Sequence, residues 1–150
     1  MDRVLRKPSR KLYVFIAEWH EKVKEGKGEK VKKKVECFED LFIWQKAVEF
    51  AADIYRLTEK PGLKSDFGLK NQMRDASVSI SSNIAERFER RSRKEYLNFL
   101  NIAKGSAGEI LSQLYVSFSV GYLDKTELAV FREKAKFLSG SISNLNSDGA

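Results

Sequence analysis

After about residue 40, apolar residues recur at steps of three and four in four successive segments. This spacing places the apolar side chains on one face of an α-helix. The first predicted helix ends at Pro61-Gly62. Its apolar face comprises Ile43, Ala47, Phe50, Ile54 and Leu57. The second predicted helix shows the same periodicity at Leu69, Met73, Ala76, Ile80 and Ile84.

The third and fourth segments carry signals for the ends of their helices. Ser92 and Glu95 have the spacing of a capping box, in which two side chains bond the amides of the first turn. Asp124 and Glu127 repeat this spacing before the fourth segment. Gly121 suits the end of the third helix, because glycine readily adopts the left-handed conformation found there.

The connections between these helices are short, at residues 90–94 and 121–125, so neighbouring helices should run antiparallel. The chain contains only 2 prolines and 9 glycines in 150 residues, which argues against a fold made of many short strands and turns. We therefore predict an all-α protein. Residues 38–147 form its antiparallel, up-down-up-down four-helix bundle, and residues 1–37 form an N-terminal extension.

The extension divides into two parts. Residues 11–25 place their apolar side chains on one helical face and predict an amphipathic helix that docks on the bundle or on an acidic partner. Residues 25–36 resemble a solvated, charged linker. Because Glu, Gly and Lys have purine-rich codons, a second interpretation is that this stretch is a translated ribosome-binding site. The authentic protein would then begin at Val31 or Val35.

The second predicted helix contains SISSNIAER, residues 79–87, although Ser and Asn are mediocre helix formers. At about 100° per residue, its polar residues line one edge of the helix. This polar stripe comprises Gln72, Ser79, Asn83, Glu86 and Arg90. The third helix has similarly small residues at Gly105 and Ser106. We interpret the two regions as helix-packing surfaces; the alternative is a solvated polar edge.

Composition argues against several kinds of chemistry. Cys37 is the only cysteine and His20 the only histidine, which excludes an internal disulfide and the usual zinc and diiron ligand sets. Gly26-Lys27-Gly28 lacks the spacing of a phosphate-binding loop. We expect no catalytic residues, metal, cofactor or small-molecule substrate. No segment approaches the roughly 18 to 20 apolar residues of a membrane span, and the expected compartment is the cytoplasm.

The net charge of +7 is unevenly distributed. Residues 1–40 contain 12 basic and 8 acidic residues, and residues 41–150 contain 16 and 13. We name the densest basic group the basic cluster: Arg87, Arg90, Arg91, Arg93 and Lys94. Such a cluster can contact the phosphates of RNA or DNA. The alternative is that basic residues near a helix C-terminus only stabilise the helix dipole.

The first and third predicted helices have apolar arcs wider than one core face requires, which favours self-association. The alternative is that these arcs fill a thick core. Two non-enzymatic functions remain open. One is an oligomeric bundle that binds nucleic acid, and the other is an assembly or adaptor protein that binds a protein partner.

Four stretches carry a resemblance to a known family: FEDLFIWQKA from residue 38, FGLKNQMRDASVSISSNIAER from residue 67, SRKEYLNFLNIAKGSAGE from residue 92, and GYLD from residue 121. They resemble the four-helix bundle family named for the 23S rRNA intervening sequence protein. Such proteins usually have Pro where this chain has Ser81, and Gly where it has Arg87. Because Arg87 should lie near the core stripe, we expect the helix to kink or end early there.

The resemblance implies a bacterial homopentamer of antiparallel bundles with no established enzymatic activity. The family is also similar to the accessory variability proteins of diversity-generating retroelements. Those are basic pentameric bundles that bind nucleic acid and a reverse transcriptase. The resemblance thus implies a homo-oligomer, with RNA or DNA as the expected partner.

Overall fold

A computed structural model of the chain describes residues 35–89 and 92–148, except for the side chains of Arg93 and residues 146–148. The described residues belong to one compact unit, Val35–Ala150. They are helical throughout apart from turns and connections. The predicted amphipathic helix at residues 11–25 and most of the predicted linker lie outside this description.

A short 3₁₀ turn, Phe38–Asp40, precedes five α-helices in the described chain. They are α1 (Phe42–Leu57), α2 (Pro61–Ser65), α3 (Phe67–Glu89), α4 (Arg93–Ser119) and α5 (Lys125–Asp148). Helix α2 is one short turn between α1 and α3, and the other four are the long helices of the bundle. The contacts of α3 with α4 are the most extensive, followed by those of α4 with α5 and of α1 with α3. This order confirms the predicted helical bundle.

The core forms where the four apolar faces meet. Ile54, Ile80, Ile84, Ile110 and Leu114 are among the side chains that are completely buried. Every residue of the predicted face of α1 is buried, and so are four of the five predicted on α3. Each large aliphatic side chain removed from water stabilises the fold by about 1.5–3 kcal/mol. The three-four spacing therefore predicted the core because burial of these faces is the main driving force for folding.

The helix ends agree with the sequence in two cases and differ in two. Asp124 and Glu127 form the predicted reciprocal cap, with Glu127 N donating to Asp124 Oδ1 at 2.7 Å and Asp124 N to Glu127 Oε1 at 3.1 Å. Gly121 ends α4 with a φ of +86°, in the left-handed region. Ser92 makes no side-chain cap. The predicted capping box at Ser92 is therefore wrong: Ser92 is exposed, and only its carbonyl joins the helix, accepting from Tyr96 N at 3.0 Å.

The second difference concerns Pro61. Helix α1 ends at Leu57, before the predicted stop at Pro61, and Pro61 instead occupies the first position of α2, where its fixed φ suits a helix and its missing N–H removes no helical bond. Side chains then join this region to the connection between α4 and α5 and to the first turn of α5. Tyr122 donates to Asp66 Oδ2 at 3.0 Å, and Lys60 Nζ donates to Glu127 Oε1 at 2.5 Å.

Between α1 and α5, two charged side chains lie within the core. Lys134 Nζ is 2.6 Å from Asp53 Oδ2, and both residues are buried. Arg56 also contacts this carboxylate, with Nη1 at 3.1 Å from Asp53 Oδ1. The sequence pattern did not predict this pair, because a charged residue at the margin of an apolar face is usually solvated.

Candidate functional site

The centre of the polar stripe lies at the contact between α3 and α4. Ser106 Oγ donates to Ser79 Oγ at 2.9 Å, which joins the two helices. Asn83 Nδ2 donates to the carbonyl of Ser79 at 2.7 Å and lies 3.1 Å from its hydroxyl oxygen. Small side chains at positions 79 and 106 allow this close approach, and the three polar residues bond one another at the helix contact.

The other residues of the predicted motif lie further out. Gln72, Glu86 and Gly105 are exposed. A Cβ atom added to Gly105 would meet nothing within 4 Å, so packing within this chain does not require glycine there. The predicted motif therefore divides into a hydrogen-bonded centre, made of Ser79, Asn83 and Ser106, and a solvent-facing remainder.

Arg87 packs against the bundle instead of extending into solvent. Its guanidinium carbon lies 3.9 Å from the centroid of the Tyr96 ring on α4, and its side chain is half-buried. Burial lowers the pKa of Arg87, because desolvation disfavours the charged guanidinium. Tyr96 in turn donates its hydroxyl to the carbonyl of Leu145 at 3.4 Å. The expectation that the helix ends early at Arg87 is wrong, because α3 continues to Glu89 and includes Arg87.

The basic cluster spans the end of α3, its connection to α4 and the first turn of α4. Lys94 is exposed in that first turn, and Arg93 is the first residue of the helix. Arg90 and Arg91 lie outside the described residues. Arg87 is near a helix C-terminus, where a positive charge is favourable, but Arg93 and Lys94 are at a helix N-terminus, where it is unfavourable. Stabilisation of helix ends therefore does not explain the whole cluster.

Several side chains of α1 and α4 extend the apolar surface beyond the core. The exposed apolar residues of these two helices include Phe42, Val48, Tyr55, Leu97, Ile102, Tyr115, Val116 and Phe118. In the single chain these residues do not fill a thick core, which was the alternative explanation of the wide apolar arcs. They leave apolar surface in contact with water on two helices.

The described residues include no group of three His, Cys, Asp or Glu side chains arranged to hold a metal ion. Cys37 is exposed, and its thiol lies 3.4 Å from Asp40 Oδ2. A hydrogen bond with Glu39 raises the pKa of the Cys37 thiol, and a hydrogen bond with Asp40 adds to this effect. The higher pKa lowers the fraction of nucleophilic thiolate. Across the described chain, no helix has the length and hydropathy to cross a membrane.

Sequence reasoning missed two partners near these residues. Tyr96 follows the apolar periodicity of α4, but the sequence did not indicate that it supports Arg87. Arg74 was not singled out, but it donates to Thr58 Oγ1 at 2.8 Å and to Glu59 Oε1 at 2.7 Å. Both relationships join a helical residue to residues outside its own helix, so a periodicity read along one helix gives no signal for them.

The comparisons with known proteins agree with this architecture. The chain matches the family described as 23S rRNA-intervening sequence protein over residues 39–144. It is also similar to the crystal structure of a protein of unknown function from the S23 ribosomal protein family of Bacteroides thetaiotaomicron VPI-5482. The TM-score is 0.64 at 22% identity, over 69% of this chain and 97% of that one, which shows a shared fold. No curated protein is significantly similar to the chain. Because the family match covers most of the 150 residues and confirms the resemblance carried by the motifs, this chain belongs to the 23S rRNA-intervening sequence protein family.

Proposed function

We propose that the protein is a non-enzymatic, self-associating helical bundle of the cytoplasm that binds RNA or DNA through the basic cluster. The observation that carries this proposal is the position of Arg93 and Lys94 in the first turn of α4. Positive charge there is unfavourable for the helix itself, so helix stabilisation does not account for these two residues and a negatively charged ligand suits them. Phosphate groups fit this requirement, because each neutralised phosphate also releases counterions.

Two further features support a phosphate ligand. Arg87 is fixed against the Tyr96 ring, which limits the conformations of one cationic group beside the connection. Self-association would repeat the cluster on each subunit and so strengthen the positive field around the assembly. The pentamer implied by the family resemblance would present five such clusters. The family name refers to 23S rRNA, so RNA from that molecule is the first ligand to test.

The test is an electrophoretic mobility shift with 23S rRNA fragments and duplex DNA across a salt series. The variant Arg90→Gln/Arg91→Gln/Lys94→Gln removes three charges of the cluster while leaving the Arg87–Tyr96 stack intact. If these residues contact about three phosphates, wild-type affinity should fall steeply with salt. The variant should then bind at least tenfold more weakly, with a smaller salt slope.

A matched control separates the cluster from net charge. Lys64→Gln/Lys104→Gln/Lys136→Gln also removes three positive charges, but from exposed residues outside the cluster. This control should bind nearly as tightly as the wild type. Equal weakening of both triple variants would contradict a localised site. Absence of binding by the wild type at low salt would contradict the nucleic-acid function.

A second candidate is an adaptor function with a protein partner, and the exposed apolar residues of α1 and α4 favour it. The two functions differ in their response to salt. Contacts with phosphates weaken as salt rises, whereas an apolar protein contact persists. Salt-resistant co-purification of one protein with the wild type, together with no shift of RNA or DNA, would favour the adaptor.

A further inference from the structure

A groove runs along the surface of the bundle between α4 and α5. Ser106 and Ser117 direct one edge of α4 toward α3, so the opposite edge of α4 lies along α5. That opposite edge carries residues at steps of seven, four, three and four, which are Leu97, Lys104, Gly108, Leu111 and Tyr115. Leu97 and Tyr115, at its two ends, are exposed. The α4 side of the groove is therefore apolar at both ends and open to solvent.

Helix α5 forms the other side of the groove. Lys134 and Phe137 both contact α1, so the opposite edge of α5 faces α4. That edge comprises Ala129, Arg132, Lys136, Ser139 and Ser143. The hydroxyl of Tyr96, near the start of α4, bonds the carbonyl of Leu145, near the end of α5, so the two helices run antiparallel. Arg132 and Lys136 consequently lie alongside the middle of α4.

The charged residues of this groove are all positive. Lys104, Arg132 and Lys136 belong to it, and neither of its two sides contains an acidic residue. The acids nearest to them in sequence face elsewhere, since Glu133 lies on the outer face of α5 and Glu109 on the α3 side of α4. None of the three cations forms an ion pair with another described residue. We name these residues the basic groove: Leu97, Lys104, Gly108, Tyr115, Arg132 and Lys136.

Arg132 is the cation whose environment most favours a ligand. Its side chain is half-buried, and its Nε atom is buried with no hydrogen-bond partner among the described residues. Burial removes water from the guanidinium, and no acceptor within the described chain replaces that water. A carboxylate from another molecule would supply the missing negative charge, and guanidinium groups bind carboxylates strongly.

Gly108 leaves the middle of the groove open. The residue is exposed, and a Cβ atom added to it would meet nothing within 4 Å. Packing within the chain therefore does not require glycine here, although glycine inside a helix lowers the stability of that helix. The absence of a side chain does allow the backbone of a neighbouring molecule to approach α4 closely.

An α-helix with both acidic and apolar residues fits this surface. A groove between two antiparallel helices accepts a third helix, whose apolar side chains then serve as anchors. From Leu97 to Tyr115 the groove is about 27 Å long, which equals about 18 helical residues. Its apolar ends suit apolar anchors, and the cations between them suit carboxylates. Phosphates alone would leave Leu97 without a partner.

We infer that the basic groove binds an acidic, amphipathic α-helix of a protein partner. This inference rests on the adaptor function proposed above, and it names the surface and the chemistry of the partner. It does not depend on nucleic-acid binding by the basic cluster, because Lys104 lies ten residues, about 15 Å, beyond Lys94 along α4.

The experiment measures the fluorescence anisotropy of a labelled synthetic peptide mixed with the full chain. The peptide is a helix of about 18 residues with leucines along one face and glutamates beside them. A second peptide has lysines in place of the glutamates. The acidic peptide should bind saturably, with an affinity that falls as salt rises, and the basic peptide should not bind.

One pair of variants tests the charges. Arg132→Gln/Lys136→Gln removes two cations of the groove and should weaken binding of the acidic peptide by about tenfold or more. The matched control Lys64→Gln/Lys125→Gln removes two exposed cations outside the groove and should bind the peptide like the wild type.

A second pair tests the shape of the groove without changing charge. Gly108→Trp fills its middle and should weaken binding of the acidic peptide. Gly105→Trp places the same side chain on the outer face of α4, opposite the buried stripe, and should leave binding unchanged. An added Cβ meets nothing at either position, so both variants should fold, and circular dichroism checks this.

Three results would overturn the inference. One is no saturable binding of the acidic peptide at concentrations up to about 1 mM, or equal binding by the wild type and Arg132→Gln/Lys136→Gln. Another is a smaller assembly of Gly108→Trp in light scattering, which would assign the groove to a second copy. The third is loss of the RNA or DNA shift in Arg132→Gln/Lys136→Gln, which would assign it to nucleic acid. The adaptor function itself fails separately, if no protein co-purifies with the wild type.

Discussion

Lys134 and Asp53 form an ion pair across α1 and α5, with Nζ and Oδ2 2.6 Å apart and side chains only 4 and 6% exposed. Removing two charges from water costs several kcal/mol per ion, and mutual attraction restores this only while both partners are present. The pair thus favours this contact between the two helices, since α5 placed elsewhere would separate the buried Lys134 ammonium from Asp53.

We expect Asp53→Ala to lower the free energy of unfolding by about 3–5 kcal/mol, because it removes the carboxylate beside the buried Lys134 ammonium. Lys134→Ala should cost less, because Arg56 still contacts Asp53. The double change Asp53→Leu/Lys134→Met removes both charges and keeps apolar volume, so it should cost much less than either single change. Urea unfolding at fixed protein concentration measures these differences. A double variant as unstable as the sum of the two singles would show that the two side chains act independently.

The stack of Arg87 on Tyr96 should contribute to stability at the end of the bundle where α3 ends and α4 begins. Arg87→Ala removes both the cation–π contact and the packing of the aliphatic stem, and should destabilise the fold by about 1–2 kcal/mol. Arg87→Lys should retain only part of this stabilisation, because an ammonium does not stack on a ring as a planar guanidinium does. Thermal unfolding of Arg87→Ala, Tyr96→Leu and the double variant gives the coupling between them, and zero coupling would contradict the stack.

The two helix N-termini provide a direct comparison of capping. Asp124→Ala should destabilise the protein by about 1 kcal/mol, because it removes the acceptor for the amide of Glu127. Ser92→Ala should change stability by less than about 0.5 kcal/mol, because the Ser92 hydroxyl caps nothing and is exposed. Chemical unfolding of both variants tests the pair, and an equal loss at both sites would indicate that Ser92 does cap α4 in solution.

The carboxylate of Glu59 should make stability depend on pH. Hydrogen bonding from Arg74, and then from Lys64, lowers the pKa of Glu59 below its ordinary value of 4.5. Since the folded-state pKa is lower than the unfolded one, the stabilisation is complete above about pH 4.5 and is lost as the pH falls through the folded-state pKa.

Unfolding curves of the wild type and Glu59→Gln between pH 7 and pH 3 measure this dependence. The difference in stability should be largest near neutral pH and disappear in acid. Arg74→Gln removes the main cause of the lowered pKa of Glu59. Like Glu59→Gln, it should reduce the loss of stability on acidification. A difference in stability between the wild type and Glu59→Gln that is constant at all pH values would show that Glu59 does not cause the pH dependence.

Periodicity predicted most of the fold because burial of apolar faces fixes both the helices and their packing. Ile80 and Ile84, for example, were assigned to the core from their spacing alone and are completely buried. Polar interactions were less predictable. Ser92 and Asp124 have the same capping spacing, but only Asp124 caps, since hydroxyl orientation depends on the chain that enters the helix.

In the candidate site, too, some features were predictable from the sequence and others were not. Its position at the end of α3 and the start of α4 followed from the local sequence around Arg93 and Lys94. The stacking of Arg87 did not, because Tyr96 is nine positions away and approaches only once α3 and α4 are antiparallel. The contact of Ser79 with Ser106 likewise depends on the register between two helices, which periodicity within one helix does not define.

The side-chain bonds on either side of α2 hold the end of α1 and the start of α3 in place, so the backbone of α2 is not the only attachment between these two helices. Lys60, before it, is bonded to Glu127 in the first turn of α5, and Asp66, after it, is bonded to Tyr122 in the connection between α4 and α5. A cut in the peptide chain within Pro61–Ser65 would leave each new end tethered to this part of the bundle. The fragment containing α1 and the fragment containing α3, α4 and α5 therefore have the attachments needed to reassemble as two separate polypeptides.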